Sequence, residues 1–365
     1  MVQGFEQDFA KFCGTAHAVA VSSGTDALRL AFIAAGIGQG DVVVTVANTF
    51  IATTEAISQA GARPAFVDID EATYNMDPAK LRAYFDEECD FDQETRTLID
   101  RRTGGRVAAV VPVHLYGQTA DMDAVLDLAG QYNLMVFEDA CQAHGAQYFS
   151  KKEHAWRTAG SMSRAAAFSF YPGKNLGACG EGGAVTTNDA ELAQKIRMLR
   201  DHGQTQKYYH DVEGYNARMD AIQAGMLRAK LKRLPEWTEK RRAAAARYNV
   251  LFAKAAEGGG AKLTLPFEPA WTRAVYHLYV VRVKNRKEFM AQLASAGVGT
   301  AIHYPVPLHL QQAYAELGYK AGDYPVTERV SNEIVSLPMF PQLRPEQQER
   351  VVAEAVNFVT AEKVC

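Results

Sequence analysis

The sequence lacks the features that mark secreted, membrane-spanning and nucleic-acid-binding proteins. Among its 365 residues, no run approaches the roughly 20 apolar residues of a membrane span, and residues 1–12 lack the apolar centre of a secretory signal. The formal net charge is only -3, so neither a nucleic-acid partner nor a membrane surface is predicted. The five cysteines are few and widely spaced, which argues against a disulfide framework and predicts a reducing, cytoplasmic location.

Three common signatures of ligand-binding sites are absent as well. The chain has no G-x-x-x-x-G-K-[ST] phosphate loop, no G-x-G-x-x-G dinucleotide fingerprint and no G-x-S-x-G hydrolase elbow. Cys141 and His144 form an isolated C-x-x-H without a second pair of ligands, so we predict no metal site. The usual nucleotide-binding and hydrolase explanations of an α/β pattern therefore do not apply.

The first two thirds of the chain alternate short β-branched runs with helical patterns. Near-continuous apolar strands of this kind occur where a parallel sheet is covered by helices on both faces, so we predict an α/β fold with a parallel-rich sheet. The predicted strands are 18–21, 42–46, 64–67, 107–113, 134–137, 165–170 and 184–187, and the first predicted helices are 26–35 and 53–60.

A smaller α+β domain is predicted at the C-terminal end, with the large domain at 1–240 and the small domain at 241–365. A helical stretch joins them from 220 to about 255, with a break expected at Pro235 and a turn at 257–260. Further along we predict a strand at 275–283 and helices at 286–296 and 346–360. The polar, charged segment 86–106 is predicted to be a loop insertion.

Three groups of polar residues follow predicted strands, where α/β sheets bind their ligands. In the first, S-S-G-T-D-A-L at 22–28, backbone N–H groups and hydroxyls at a helix start are suited to a phosphate, although Ser23 or Thr25 could simply cap the helix. In the second, Glu138 and Asp139 end an apolar strand. A buried carboxylate needs a partner, which could be a protonated cofactor ring, a helix N-terminus or a structural ion pair.

The third group centres on Lys174, between a strand end and a loop with five glycines from 173 to 183. Burial among apolar and small neighbours lowers the pKa of a lysine and makes its neutral amine available as a nucleophile. A surface lysine in a glycine-rich turn is the alternative. In combination, a phosphate cradle, a strand-end acid and a lysine 35 positions after Asp139 are what pyridoxal phosphate requires: an anchor, a carboxylate that keeps the pyridinium protonated, and a Schiff-base lysine that can also move a proton.

Several longer stretches resemble the DegT class of sugar-nucleotide aminotransferases, which belong to fold type I of the pyridoxal-phosphate enzymes. The resemblance implies a three-layer large domain with a mostly parallel mixed sheet and a smaller α+β C-terminal domain. The matching stretches are S-S-G-T-D-A-L, N-T-F-I-A-T-T-E-A-I, P-V-H-L-Y-G, E-D-A-C-Q-A-H-G-A, F-S-F-Y-P-G-K-N-L-G, G-E-G-G-A-V-T-T-N and Y-N-A-R-M-D-A-I-Q-A.

The resemblance gives cofactor roles to residues in these stretches. Lys174 would form the Schiff base, Asp139 would pair with the pyridinium nitrogen, and Gln142 would contact the hydroxyl side of the ring. Phe50 would stack on the ring. The phosphate would be held by Gly24, Thr25 and Ser169.

The resemblance also implies a substrate and a second subunit. Asn216 would reach the phosphate of the neighbouring subunit's cofactor, so a homodimer with shared active sites is expected. His303, Tyr304 and His309 resemble the family's sugar-binding loop; taken alone, these histidines would count as ordinary surface or satisfied residues. The family usually begins some tens of residues earlier, so the start is either truncated or misassigned, or that segment is missing.

The wording K-N-L-G-A after Lys174 resembles members that aminate C3 of a nucleotide-linked keto sugar. The implied reaction converts L-glutamate and a dTDP- or UDP-linked 3-keto sugar into 2-oxoglutarate and an amino sugar nucleotide. The alternatives are a C4 aminotransferase of the same family and a non-catalytic regulator or structural homologue that binds pyridoxal phosphate. A related sugar dehydratase replaces the Schiff-base lysine with histidine, and Lys174 speaks against it.

Overall fold

A computed structural model describes residues 1–257 and 263–361. Except for Glu257, the turn predicted at 257–260 lies outside the described residues. Eleven α-helices fall in these ranges: α1 Val2–Cys13, α2 Gly24–Ala34, α3 Ala52–Gln59, α4 Pro78–Glu87, α5 Met122–Gln131, α6 Ala190–Leu199, α7 Ala221–Leu231, α8 Leu234–Glu257, α9 Arg286–Ser295, α10 Pro325–Glu333 and α11 Pro345–Ala361.

Sixteen strands lie between these helices in the same ranges. They are β1 His17–Val21, β2 Asp41–Val46, β3 Arg63–Val67, β4 Cys89–Asp92, β5 Thr97–Asp100, β6 Arg106–Val110, β7 Met135–Asp139, β8 Gln147–Ser150, β9 Ala155–Thr158, β10 Ala165–Ser169, β11 Gly183–Thr187, β12 Gln204–Gln206, β13 Tyr209–His210, β14 Thr272–Arg273, β15 Tyr279–Arg282 and β16 Ile334–Leu337.

The main sheet has the strand order β1-β11-β10-β7-β6-β2-β3. Strand β11 is antiparallel to both of its neighbours, whereas the pairs β10–β7, β7–β6, β6–β2 and β2–β3 are parallel. The predicted α/β fold with a mostly parallel mixed sheet is therefore confirmed.

Both faces of the sheet are covered, as strand β2 illustrates. Its residues are buried along the whole strand. Val42, Val44 and Val46 pack into one apolar cluster with α4 and α5, and Val43 packs into another with α2, α3 and α6. Because successive strand residues face opposite sides, a strand covered on both faces is apolar throughout, and each buried valine contributes roughly 1.5–3 kcal/mol.

The prediction of a loop insertion at 86–106 is wrong. Strands β4 and β5 form an antiparallel hairpin there, and Ile99 pairs with Arg106 of β6. Leu98 is buried, and the hydroxyl of Tyr84 donates to Asp100 at 2.7 Å. The hairpin faces solvent on one side, so its many charged residues concealed the strand pattern.

One predicted boundary in this part of the chain is confirmed and one differs. The helical stretch breaks between α7 and α8 beside Pro235, as predicted, and Pro235 itself lies in the first turn of α8, where no intrahelical N–H donor is needed. The strand predicted at 275–283 is shortened to β15. Its first residues instead contact the segment around Gly117, since Val275 N donates to Gly117 O at 2.9 Å.

Helices α8, α9 and α11 pack with strands β15 and β16 around a separate apolar cluster. Tyr248 and Tyr279 are fully buried in it, with ring centroids 4.8 Å apart. The domain boundary at 240/241 stays a prediction; it falls inside α8. None of the helices in the described ranges is both long and apolar enough to span a membrane.

Candidate active site

The carboxyl ends of several strands meet at one edge of the sheet. Strand β1 is antiparallel to β11, and β11 to β10, so β1 points in the same direction as the parallel strands. A cleft of about 750 Å³ lies at this edge. Such strand ends are where open α/β sheets bind ligands. Nine of the eleven predicted site residues line the cleft: Gly24, Thr25, Phe50, Asp139, Gln142, Ser169, Lys174, His303 and Tyr304.

The loop after β1 ends in the first turn of α2. Ser23 caps this helix, because its hydroxyl accepts from Asp26 N at 3.1 Å. Gly24 approaches Ser169 so closely that a Cβ on Gly24 would lie 2.7 Å from the Cβ of Ser169. Capping and anion binding are therefore compatible here: Ser23 serves as the cap, and Gly24, Thr25 and Ser169 face the cleft with the helix N-terminus.

Glu138 and Asp139 point to opposite sides of β7, as alternate strand residues must. Glu138 is fully buried and faces the interior. Its carboxylate accepts from Gly160 N at 2.7 Å, Met162 N at 2.9 Å and His114 Nε2 at 3.0 Å. Burial alone would raise the pKa of Glu138, but these donors outweigh it and hold the pKa below its usual value. Glu138 is thus the buried structural acid.

Asp139 faces the cleft. One carboxylate oxygen accepts from the hydroxyl of Thr53 at 2.8 Å and the other from Cys141 N at 3.1 Å. A carboxylate oxygen can accept two hydrogen bonds and each oxygen of Asp139 accepts one, so the group keeps capacity for a further donor. The strand-end position together with this fixed orientation makes Asp139 a candidate partner for a protonated ring.

Lys174 lies on a tight loop after β10. Its backbone N–H donates to Tyr171 O at 2.8 Å, and Ala178 N donates to Phe170 O at 2.7 Å, so the loop folds back on the strand end. The side chain is half-buried. Burial lowers the pKa of the ammonium group, and the nearby Cys141 and Asp139 oppose that shift. A lysine with a lowered pKa in a cleft is suited to nucleophilic and proton-transfer roles.

Gln142 links two residues, Tyr116 and Tyr304, through its side-chain amide. Its side-chain oxygen accepts from Tyr116 N at 2.7 Å, and its amide nitrogen donates to the hydroxyl of Tyr304 at 3.2 Å. The ring of Tyr304 lies 5.4 Å from that of Phe50, which is 51% exposed and therefore free to cover a ligand ring. Nδ1 of His303 forms a hydrogen bond with the hydroxyl of Ser336 at 2.8 Å.

Two predicted residues lie outside the cleft. His309 is buried and bonded through Nε2 to Glu328 at 3.0 Å, and it is not among the residues that line the cleft, so its predicted substrate role stays a prediction. Asn216 is exposed on the segment before α7. Its predicted role requires a second subunit and stays a prediction.

Other cleft residues escaped the sequence analysis. Thr53 lies in the quoted stretch N-T-F-I-A-T-T-E-A-I, so its motif was recognised but its contact to Asp139 was not. His277 also lines the cleft, more than a hundred residues from Lys174 in the chain, and no motif marks it. Cys141 directs its thiol at Ala167 O, 3.7 Å away. In the described ranges no three His, Cys, Asp or Glu side chains cluster as metal ligands would.

Comparison with known proteins decides the family. The family model described as the DegT/DnrJ/EryC1/StrS aminotransferase family matches residues 1–356. The chain belongs to this family. The resemblance to the DegT class of aminotransferases that the sequence motifs indicated is therefore confirmed.

Individual members of the DegT/DnrJ/EryC1/StrS family are similar over nearly the whole chain. A pleiotropic regulatory protein of Geobacillus stearothermophilus is 43% identical over 98% of this chain and 89% of its own length. The dTDP-3-amino-3,4,6-trideoxy-alpha-D-glucose transaminase of Streptomyces venezuelae is 42% identical over 96% of this chain and 85% of its own. The crystal structure of S. venezuelae DesV in complex with a ketimine intermediate superimposes with a TM-score of 0.88 at 41% identity, covering 98% of this chain and 89% of DesV.

Proposed function

We propose that this DegT-class chain is a pyridoxal-phosphate-dependent aminotransferase that moves the amino group of L-glutamate to C3 of a dTDP- or UDP-linked 3-keto sugar. The observation that carries the proposal is the placement of Lys174, with its lowered pKa, in one cleft with Asp139 and the N-terminus of α2. The C3 assignment is supported by K-N-L-G-A after Lys174 and by the 3-amino sugar transaminase among the similar proteins.

The described residues fit pyridoxal phosphate on three counts. The contact between Gly24 and Ser169 leaves a cradle at a helix N-terminus that any larger residue at 24 would fill, and such a cradle suits a phosphate. Asp139 offers an oriented carboxylate near the cleft floor. Lys174 is the only lysine or arginine among the residues that line the described cleft.

The bound cofactor would act as an electron sink for the carbon that gains or loses the amino group. The protein's own groups then divide the remaining work. Thr25 and Ser169 would bind the phosphate, Asp139 would keep a proton on the ring nitrogen, and Phe50 would cover the ring face. Lys174 Nζ, whose pKa is lowered by burial, would take up and return the proton of the reacting carbon.

We further propose a homodimer in which Asn216 of one subunit completes the cleft of the other. Asn216 is exposed, and on the adjoining helix α7 the apolar side chains of Ile222 and Met226 are 78% and 41% exposed. Exposed apolar side chains on one helix are typical of a subunit interface. Mixing Lys174→Ala and Asn216→Ala chains tests this: hybrid dimers should regain activity that neither variant has alone.

The experiment for the central proposal uses the purified holoenzyme and L-glutamate. We expect a visible absorbance band that shifts when L-glutamate is added, and loss of the band and of transamination in Lys174→Ala. Lys195→Ala, which changes an exposed lysine paired with Glu191, is the matched control and should keep both. If Lys174→Ala retains the band and full transamination, the proposal is wrong.

The carbon that is aminated is tested separately. NMR of the products from matched 3-keto and 4-keto sugar nucleotides should show amination of the 3-keto compound. Amination of the 4-keto compound alone would replace C3 by C4. A visible absorbance band without transamination of either sugar would favour the non-catalytic alternative. The Geobacillus stearothermophilus relative is named a regulatory protein, which is why this alternative is tested.

A further inference from the structure

His277 has no role in the proposed chemistry, although it lines the same cleft as Lys174. It lies on the segment that leads into β15, and its ring is partly exposed. Two sets of contacts fix it, one through its backbone and one through its side chain.

The backbone around His277 is held from two sides. A Cβ on Gly117, which has φ +95°, would lie 2.9 Å from His277 N, so glycine is needed for this approach. Val275 N donates to Gly117 O at 2.9 Å. On the other side the buried guanidinium of Arg241 donates to Tyr276 O at 3.1 Å and to His277 O at 3.4 Å.

The side chain of His277 is held in one tautomer. Asn175, the neighbour of Lys174, donates from Nδ2 to Val275 O at 3.2 Å. A carbonyl only accepts, so the amide oxygen of Asn175 must face His277, where it lies 3.2 Å from Nδ1. Nδ1 therefore carries the proton, and Nε2 is an acceptor. No described residue forms a hydrogen bond with that Nε2.

The surroundings also keep His277 uncharged. Burial is the main cause that lowers the pKa of the imidazole well below its usual value. The positive charges of Lys174 and Arg241 lower it further, and the neighbouring His144 and His303 act in the same direction. The ring, which belongs to the lining of the cleft, thus carries a lone pair on Nε2 at neutral pH.

We propose that Nε2 of His277 accepts a hydrogen bond from a hydroxyl next to the carbonyl of the keto sugar, which makes His277 a specificity-determining residue. A fixed, otherwise unpaired acceptor in a cleft rejects ligands that lack the matching donor. The inference rests on the proposed sugar-nucleotide substrate.

The two half-reactions separate this role from a general one. His277→Phe, which removes the acceptor, should slow the reaction of the aminated enzyme with keto sugar about tenfold relative to the glutamate half-reaction. His277→Gln, which keeps an acceptor, should recover most of the loss. The difference between wild type and His277→Phe should disappear with a keto sugar nucleotide that lacks the recognised hydroxyl, either the 2-deoxy or the 4-deoxy compound. An equal loss in both half-reactions would overturn the inference.

A second measurement needs no turnover. In protein labelled with ¹⁵N-histidine, the His277 nitrogens should show Nδ1 protonated and Nε2 unprotonated from pH 8 to pH 5.5. A protonated Nε2 in this range would also overturn the inference. If the labelled ring behaves as expected but wild-type enzyme aminates no sugar nucleotide, it is the proposed function that fails.

Discussion

Glu138 and Asp139 are chemically similar neighbours at the end of β7, but they lie in different environments. The region around Glu138 is closed: one carboxylate accepts from three backbone N–H groups, the hydroxyl of Ser163 and the ring of His114. The region around Asp139 is open, with one hydroxyl and one N–H as donors and a cleft in front. Saturated hydrogen bonding marks the structural acid, and spare capacity marks the one available to a ligand.

The same contrast extends to the two nearby histidines. His114 Nδ1 accepts from Ala120 N at 3.1 Å, so its Nε2 must donate to Glu138 and the ring has no free atom. His277 is tied at Nδ1 only. Substitutions of Asp139 and Glu138 test this distinction directly, and substitutions of His144 and Gly24 test two further buried positions.

The largest effect is expected at Asp139. Asp139→Asn keeps the shape but removes the charge that would hold a proton on the cofactor ring, so transamination should fall at least about a thousandfold, roughly 4 kcal/mol in the barrier. The thermal unfolding midpoint should change little, since the amide oxygen can still accept from Cys141 N and the hydroxyl of Thr53 can accept from the amide nitrogen. Steady-state kinetics and calorimetry on the same preparation measure both effects. A lower unfolding midpoint with unchanged catalysis would show that Asp139, and not Glu138, is the structural acid.

Glu138→Gln should show the opposite pattern. An amide cannot accept from all the donors around Glu138, so the free energy of unfolding should fall by about 3 kcal/mol. Activity per folded molecule should stay close to wild type. Because the folded pKa of Glu138 is lowered, its stabilisation is present above the unfolded value near pH 4.3 and is lost as pH falls. Denaturant titrations should therefore converge for variant and wild type in acid.

His144 offers a pH test inside the apolar cluster. Burial, followed by the charge of Lys174, lowers the pKa of His144 to about 3. The unfolded chain takes up a proton below about pH 6.5 while the folded ring does not, so stability falls as pH drops and the cost at pH 5 is about 2 kcal/mol. His144→Phe, between Phe168 and Phe170, should lack this component between pH 7 and pH 5. Identical pH slopes would show that His144 does not titrate in this way.

The smallest effect is expected at Gly24. Gly24→Ala forces the new methyl against Ser169 and Cys141, and overpacking of this kind costs about 1 to 2 kcal/mol of stability. The affinity for pyridoxal phosphate, measured by fluorescence titration, should fall as well because the cradle is filled. Gly130→Ala, where a Cβ meets nothing within 4 Å, is the control. If the two variants have the same stability and the same affinity for pyridoxal phosphate, Gly24 does not form part of the phosphate cradle.

Much of the large domain was predictable because its signals are local. Strands β1, β2, β3, β7, β10 and β11 fall within a few residues of their predicted ranges, since strands buried on both faces are continuously apolar. The hairpin β4–β5 was missed because only one of its faces is buried. The N-terminal segment of the predicted strand 275–283 was misassigned because its partner, near Gly117, is distant in the chain.

The site divides in the same way. The sequence by itself determined that Gly24 and Thr25, then Asp139, then Lys174 each lie at a strand end, and strands that point in the same direction place these ends at one edge of the sheet. It could not determine which of Glu138 and Asp139 faces the cleft, that His309 turns away to Glu328, or that His277 lies beside Lys174. Those outcomes depend on which donors and charges the folded chain brings within reach, and residues distant in sequence supply them only when the tertiary structure forms.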